Sequence, residues 1–346
     1  MQGNTFQVDF RRNIGDVRKG KMLDELKIIN EIWNLIREKG LGYSVVPSSF
    51  DDACALPIGD SFLVFTNDGI SESTDRLPNM TWYEFGWRLA ISCVSDLAAK
   101  GARPLGFLVS LNVTRRLDMK SILEIYKGIA DCAKEYGFDI WGGDIGESKE
   151  VVIDGFMVGV TKRPLWRNGV RPGDLIAISG ELGLTGAAFH YILQGGTGIS
   201  DMRRIYEAAY RPKARLKLGM LLSELDGVHS AIDLSDGLSR SLHEMARASN
   251  VKLIVRERAI PIAKEALEYA KANSLDPLSL ALHAGEEYEL LFTLEPSCWK
   301  QVRDLCNKIG VRVTVIGYVE KGYGVYLEGK EGLRPLEEKG WIHLRE

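Results

Sequence analysis

The chain lacks any run approaching the ~18–20 apolar residues needed to span a bilayer. Its first twenty residues hold no apolar stretch of the kind found in a secretory leader. Neither membrane insertion nor secretion is therefore expected, and the expected location is the cytoplasm. A surplus of positive charge is also missing, since 44 Lys+Arg stand against 47 Asp+Glu for a formal charge of −3. Without a bulk cationic field, nucleic acid is not an expected partner. The five cysteines (Cys54, Cys93, Cys132, Cys298, Cys306) form no CxxC pair, and the chain is too large to need disulfide staples, so they are read as reduced thiols. The five histidines (His190, His229, His243, His283, His343) are scattered, which removes the spacing of a zinc site. No GxSxG, HExxH, HRD or DFG motif occurs, so hydrolase and protein-kinase chemistry lose their signatures.

What is present points to α/β architecture. The composition, 45% hydrophobic and 26% charged, suits a chain with a sizeable core, and 346 residues suggest about two domains. The 36 glycines call for frequent tight turns. Leu26, Ile29, Trp33 and Ile36 put one apolar stripe on a helix over 22–39. A strand over 61–66, a helix over 82–99 and a strand over 105–113 follow. Next come a helix over 119–136, a strand starting at 138–141 that runs into Gly142-Gly143, and an apolar strand over 151–161. The Pro-, Gly- and Arg-rich stretch 162–174 marks a junction near 165. It divides the chain into an arm (1–20), a first domain (21–165) and a second domain (166–346). The alternation then restarts, with strands over 175–179, 231–234, 288–294, 311–319 and 323–327. Helices are read near 187–193, over 213–223 and from 238.

The placement of aspartates carries the chemical information. Asp51-Asp52, Asp68, Asp144 and the pair Asp233/Asp236 fall in or beside turns at the ends of apolar strands, where α/β proteins put ligands. Hard oxygen ligands converging from several loops suit Mg²⁺ together with substrate phosphates. Any one of them could equally cap a helix or brace a turn. On the helix over 82–99, Asp96 shares a face with Leu89, Ser92 and Cys93, whereas Glu84, Arg88 and Lys100 define a polar side. An inward carboxylate needs a cation or strong donors, so a metal is expected, with an ion pair to a residue such as Arg103 as the alternative. Gly142-Gly143-Asp144 lets the backbone approach a phosphate while the aspartate holds a counter-cation. The turn Gly180, Gly183, Gly186 could meet an anion or simply be a turn. GDVRKGKM at 15–22 mimics GxxxxGK but lacks the Ser/Thr hydroxyl and a preceding strand, and reads as a solvated arm.

An ordered series of motifs then carries a resemblance: DDACAL at 51–56, TND at 66–68, SDLAAKGARP at 95–104, GGD at 142–144, IDLSDGL at 232–238 and GEEYELLFT at 285–293. The chain resembles the thiamine-monophosphate kinases, members of the aminoimidazole-ribonucleotide-synthetase-like superfamily. The last motif is the most discriminating. The resemblance implies two α/β domains of that fold (α+β type), with first domains pairing across a homodimer to close a β-barrel. It implies ATP-dependent phosphorylation of thiamine monophosphate to thiamine diphosphate by direct in-line transfer, with several Mg²⁺ ions and no covalent phosphoenzyme.

By position, the resemblance implies a metal set of Asp52, Thr66, Asn67, Asp68, Asp96, Asp144, Asp233 and Asp236. ATP contacts would be Gly143, Asp144, Arg167 and Ser235, and Asp75, Glu286 and Trp341 fall at substrate positions. Asn67 stands where the family usually has Thr or Ser, Asp75 where it has His, and Glu287 where it has Asp. The N-terminal arm has no counterpart. Two alternatives are weighed: an ATP-using synthetase of the same superfamily, and a non-catalytic Mg-nucleotide sensor. The ending WIHLRE lacks the terminal cysteine of the carbamoyl-handling relatives, and no cysteine near the N-terminus suits selenide chemistry. Intact acidic loops with Glu286 speak against a sensor.

Overall fold

The computed structural model describes residues 25–41 and 51–340. The arm over 1–20, its glycine-lysine stretch and Trp341 lie outside the described residues. The chain runs α1 (Glu25–Glu38), β1 (Cys54–Ile58), β2 (Ser61–Ser71), α2 (Glu72–Asp75), α3 (Trp82–Ala99), β3 (Arg103–Val113), α4 (Met119–Tyr136), β4 (Asp139–Glu147) and β5 (Val152–Thr161). The second half follows as β6 (Leu175–Ser179), α5 (Leu184–Gln194), α6 (Arg203–Tyr210), α7 (Leu216–Ser223), β7 (Val228–Asp233), α8 (Leu238–Ser249) and β8 (Lys252–Arg256). It closes with α9 (Lys264–Ala272), α10 (Pro277–His283), β9 (Leu290–Leu294), α11 (Trp299–Lys308), β10 (Val313–Glu320), β11 (Gly324–Gly329) and β12 (Gly332–Pro335).

Two sheets organise these elements. The first has the order β1-β2-β5-β3-β4, antiparallel except for the β3/β4 pair. The second has the order β12-β11-β8-β10-β6-β9-β7, antiparallel except where β11 meets β8. Strand alternation explains the cores. On β6, Ala177 faces one cluster, with Phe292 and Leu290, that continues into Trp87, Leu97 and Phe107 of the first half. Ile176 and Ile178 face a second cluster with Leu242, Leu253 and Ile316.

Helix α3 is the element both halves share. Its start is fixed by a capping box, in which Thr81 Oγ1 accepts from Glu84 N at 3.2 Å and the Glu84 carboxylate accepts from Thr81 N at 2.8 Å. It packs on α4 at a glycine crossing: a Cβ at Gly86 would stand 2.0 Å from the Ile125 carbonyl oxygen, and one at Gly128 would stand 1.9 Å from that of Tyr83. Only glycine permits this backbone approach.

The structure corrects three expectations. The strand expected over 61–66 continues to Ser71, because every residue from Phe62 pairs with β5; Asp68 therefore lies within a strand rather than at its end. β4 likewise runs through Gly142, Gly143 and Asp144, since its ladder with β3 continues to Glu147. The side of α3 read as polar is not solvated throughout: Arg88 is 4% exposed and Lys100 is fully buried, because that side faces the second half of the chain. Arg103, weighed as a partner for Asp96, is exposed on β3.

Candidate active site

The residues just before β1, the inner face of β2, helix α3 and the end of β7 converge. Carboxylate oxygens of Asp52, Asp96 and Asp233 all lie within 4.8 Å of one another. Thr66, pointing inward from β2, donates its hydroxyl to Asp96 Oδ2. Asp233 accepts from Ser95 Oγ at 2.6 Å and from Ser235 Oγ at 3.3 Å. Helix α8, just beyond, has Gly237 as its N-cap, and Asp236 lies 3.4 Å from Arg240 Nε on its first turn.

Cations reach one flank of this group. Lys100 pairs with Asp51, and its Nζ lies 2.8 Å from Asp52 Oδ2. Arg167 pairs with Asp52 Oδ1, reaches Glu244 at 2.8 Å, and gives its backbone N–H to Asp51 at 2.9 Å. Asp52 Oδ2 is buried, and the Lys100 ammonium is the cation beside it. The other flank is under-compensated. Burial, then the charges of Asp68, Asp233 and Asp52, raise the Asp96 carboxyl well above the usual carboxylate range. Burial and then Asp52 push Asp233 up to about 8. Like charges gathered in a low-dielectric site raise one another in this way. An all-oxygen donor set holding more negative charge than its cations balance fits a hard divalent ion such as Mg²⁺.

A second cluster lies further along α3. Glu286 adopts φ +60°, and its two carboxylate oxygens meet Arg88 Nη2 at 2.5 and 2.6 Å. Asp75, at the end of α2, accepts from Ser71 N at 2.8 Å and from Thr74 Oγ1 at 2.6 Å. Its charge also acts on Arg88. The glycine turn before α5 meets a carboxyl group of the chain itself: Glu287 Oε1 accepts from Gly183 N at 2.6 Å. Burial pushes the Glu287 carboxyl up to about 8.

Two expected site residues, Asn67 and Asp144, face elsewhere. Asn67 pairs in register with exposed Phe156, on the opposite face of β2 from Thr66 and Asp68. Asp144 lies in the row Asp144, Ser110, Asp154, Gly69, so three strand spacings, roughly 14 Å, separate it from β2 within one chain. Gly143, next to it on the exposed edge strand, stands instead in the row of Val109, Gly155 and Asp68. Arg88 and Lys100 were not anticipated as site residues. They sit eight residues before and four after Asp96, and that spacing was the available signal.

Comparison with known proteins gives a consistent picture. The family model described as AIR synthase related protein, N-terminal domain, matches residues 50–161, and that of the C-terminal domain matches 171–330. Thiamine-monophosphate kinase of Pyrococcus horikoshii is 40% identical over 295 residues, covering 85% of this chain and 90% of that protein. The Pyrococcus abyssi enzyme of the same name is 37% identical, with 85% and 90% covered. The solved structure of AaThiL complexed with AMPPCP and TMP superposes with a TM-score of 0.82 at 28% identity, covering 95% of this chain and all of that one. Hydrogenase maturation protein HypE aligns with a TM-score of 0.67 at 22% identity, a likeness of fold alone.

The raised carboxyls fix a sign. A carboxyl whose folded pKa exceeds its unfolded value of roughly 4 holds an extra proton in the folded state, so stability falls as pH rises between the two values. In EDTA, the thermal midpoint should therefore fall from about pH 5 to about pH 8, the value to which Asp233 is pushed. Mg²⁺ competes with those protons, so its stabilising shift should grow across the same interval. Scanning fluorimetry checks both trends, and a Mg²⁺ shift independent of pH would contradict the cation assignment.

Proposed function

The chain belongs to the AIR synthase related protein family, and from its place beside the thiamine-monophosphate kinases of that family we infer that it transfers the γ-phosphoryl group of ATP to thiamine monophosphate. A phosphate oxygen of the acceptor bonds to the γ-phosphorus as the bond to the β-bridging oxygen breaks, giving thiamine diphosphate and ADP. The acceptor oxygen is already anionic near neutral pH, so the protein needs no strong general base. Its task is to position two polyanions and offset their charge.

The gathering of Asp52, Asp96 and Asp233 is the observation that carries this reading. These three, with Thr66, Asp68 and Asp236, would hold Mg²⁺. When bound, the ions neutralise phosphate charge and polarise the transferring group. Ser95 and Ser235 fix the Asp233 carboxylate, and Thr66 fixes that of Asp96, so the donor set is built before ligands arrive. Arg167 is assigned to ATP with Ser235. Its guanidinium already bridges Asp52 and Glu244, which holds it beside the acids. Asp75 and Glu286 are assigned to the acceptor.

Asp144 and Asn67 are reached only if a second copy covers the outer face of the first sheet. That face supports a homodimer: Leu108 and Phe156 are exposed on it, and edge strand β4 is open and carries exposed Trp141. No described helix is long and apolar enough to cross a membrane. The need for ATP supports a cytoplasmic location.

Two measurements follow. Asp96→Asn should lower thiamine diphosphate formation by ~10²-fold or more, on the scale of losing charge stabilisation in the transition state. The circular dichroism spectrum should be unchanged, and near-normal turnover would remove Asp96 from the metal set. Leu108→Glu should shift a dimeric wild-type protein to monomer in sedimentation velocity and lower activity with it. A wild-type protein sedimenting as monomer would contradict the paired arrangement.

A further inference from the structure

Arg88 is 4% exposed, a buried guanidinium on a helix of the first half whose partners all lie elsewhere in the fold. Nη1 donates to the Ala209 carbonyl at 2.5 Å, at the end of α6, and Nη2 straddles both oxygens of Glu286. Nε is buried without a hydrogen bond among the described residues, so all directed bonding passes through the two Nη groups. Glu286 needs such a restraint. Its φ of +60° and that of Tyr288, +49°, are left-handed values that non-glycine residues rarely hold unless the surroundings impose them. The loop backbone is pinned to the Asp233–Gly237 turn by Glu286 N to Ser235 O at 2.7 Å and Tyr288 N to Leu234 O at 3.1 Å. Those bonds fix where the main chain lies, whereas the contact to Arg88 fixes where the carboxylate points.

Arg88 and Asp96 are eight residues apart on α3, about 12 Å along the axis. One rigid helix thus spaces the acidic cluster from the Glu286 carboxylate. Asp75 adds a second negative charge near Arg88, so the far end of the site stays net acidic, suited to a cationic ring.

We propose that Arg88 is a positioning residue which aims Glu286 across the boundary between the two halves at the cationic end of the acceptor, thereby setting acceptor affinity without touching the phosphates. This rests on the acceptor reading given under Proposed function. The effect of losing Arg88 must then pass through Glu286, whereas a general clamp between the halves would act whether or not Glu286 is charged.

A double-mutant cycle with Arg88→Met and Glu286→Gln separates the two. Steady-state kinetics in Mg-ATP and thiamine monophosphate, with binding of AMPPCP measured separately, provides the readout. Arg88→Met should raise the acceptor KM by about tenfold or more in the wild-type background. It should raise it less than about twofold on Glu286→Gln, with AMPPCP affinity unchanged in both. Arg88→Lys, which keeps a charge but not the fork, should recover part of the loss and serves in place of Arg88→Met if that variant does not fold. Equal effects in the two backgrounds, or loss of AMPPCP binding alongside, would overturn the inference while leaving the reaction intact. A wild-type protein that makes no thiamine diphosphate would overturn the reaction and the inference with it.

Discussion

Three carboxylates held against their mutual repulsion are the constraint on which the rest of this molecule depends. Asp52, Asp96 and Asp233 come from three separate segments, and no local preference brings them together. The packing of α3 against the first sheet on one side and β7 on the other does so. Keeping them close costs stability, as the raised carboxyls of Asp96 and Asp233 record. A protein bears such a cost where ligand binding returns it. Lys100 and Arg167 limit the cost chiefly on the Asp51/Asp52 flank, so Asp96 and Asp233 keep raised carboxyls.

Helix α3 ties that local constraint to the second half of the chain. Its glycine contact with α4 sets its height above the sheet, and its polar side chains reach into the second half of the chain. Ser95 meets Asp233, Lys100 meets the Ala231 carbonyl at 3.2 Å, and Arg88 meets Glu286. A shift of α3 would therefore disturb the acidic cluster and the Arg88–Glu286 pair together. Geometry spread over one rigid element in this way suits phosphoryl transfer, where positioning and charge supply most of the rate.

Much of this was legible in the sequence because the strongest signals are local. The helix over 82–99 was expected with the bounds it has, and Asp96 read as inward from its neighbours Leu89, Ser92 and Cys93. Two kinds of information were not local. Asp68 and Asp144 read as turn residues because polar and glycine-rich segments mimic turns, but ladder partners on β5 and β3 keep those segments extended. Arg88 and Lys100 read only as a polar side, because a helical wheel cannot distinguish water from a second domain that carries its own acids. The outward orientation of Asn67 and Asp144 likewise depended on strand register, which fixes the face a residue occupies. Trp341, also a resemblance-based assignment, falls outside the described residues.

Anomalous diffraction from crystals grown with Mn²⁺, AMPPCP and thiamine monophosphate tests the central claim most directly. Peaks bonded to the carboxylates of Asp52, Asp96 and Asp233, lying between the two phosphorylated ligands, are the expected result. Ligands in place with those carboxylates tied only to Lys100, Arg167 and neighbouring hydroxyls, and no anomalous peak among them, would contradict it.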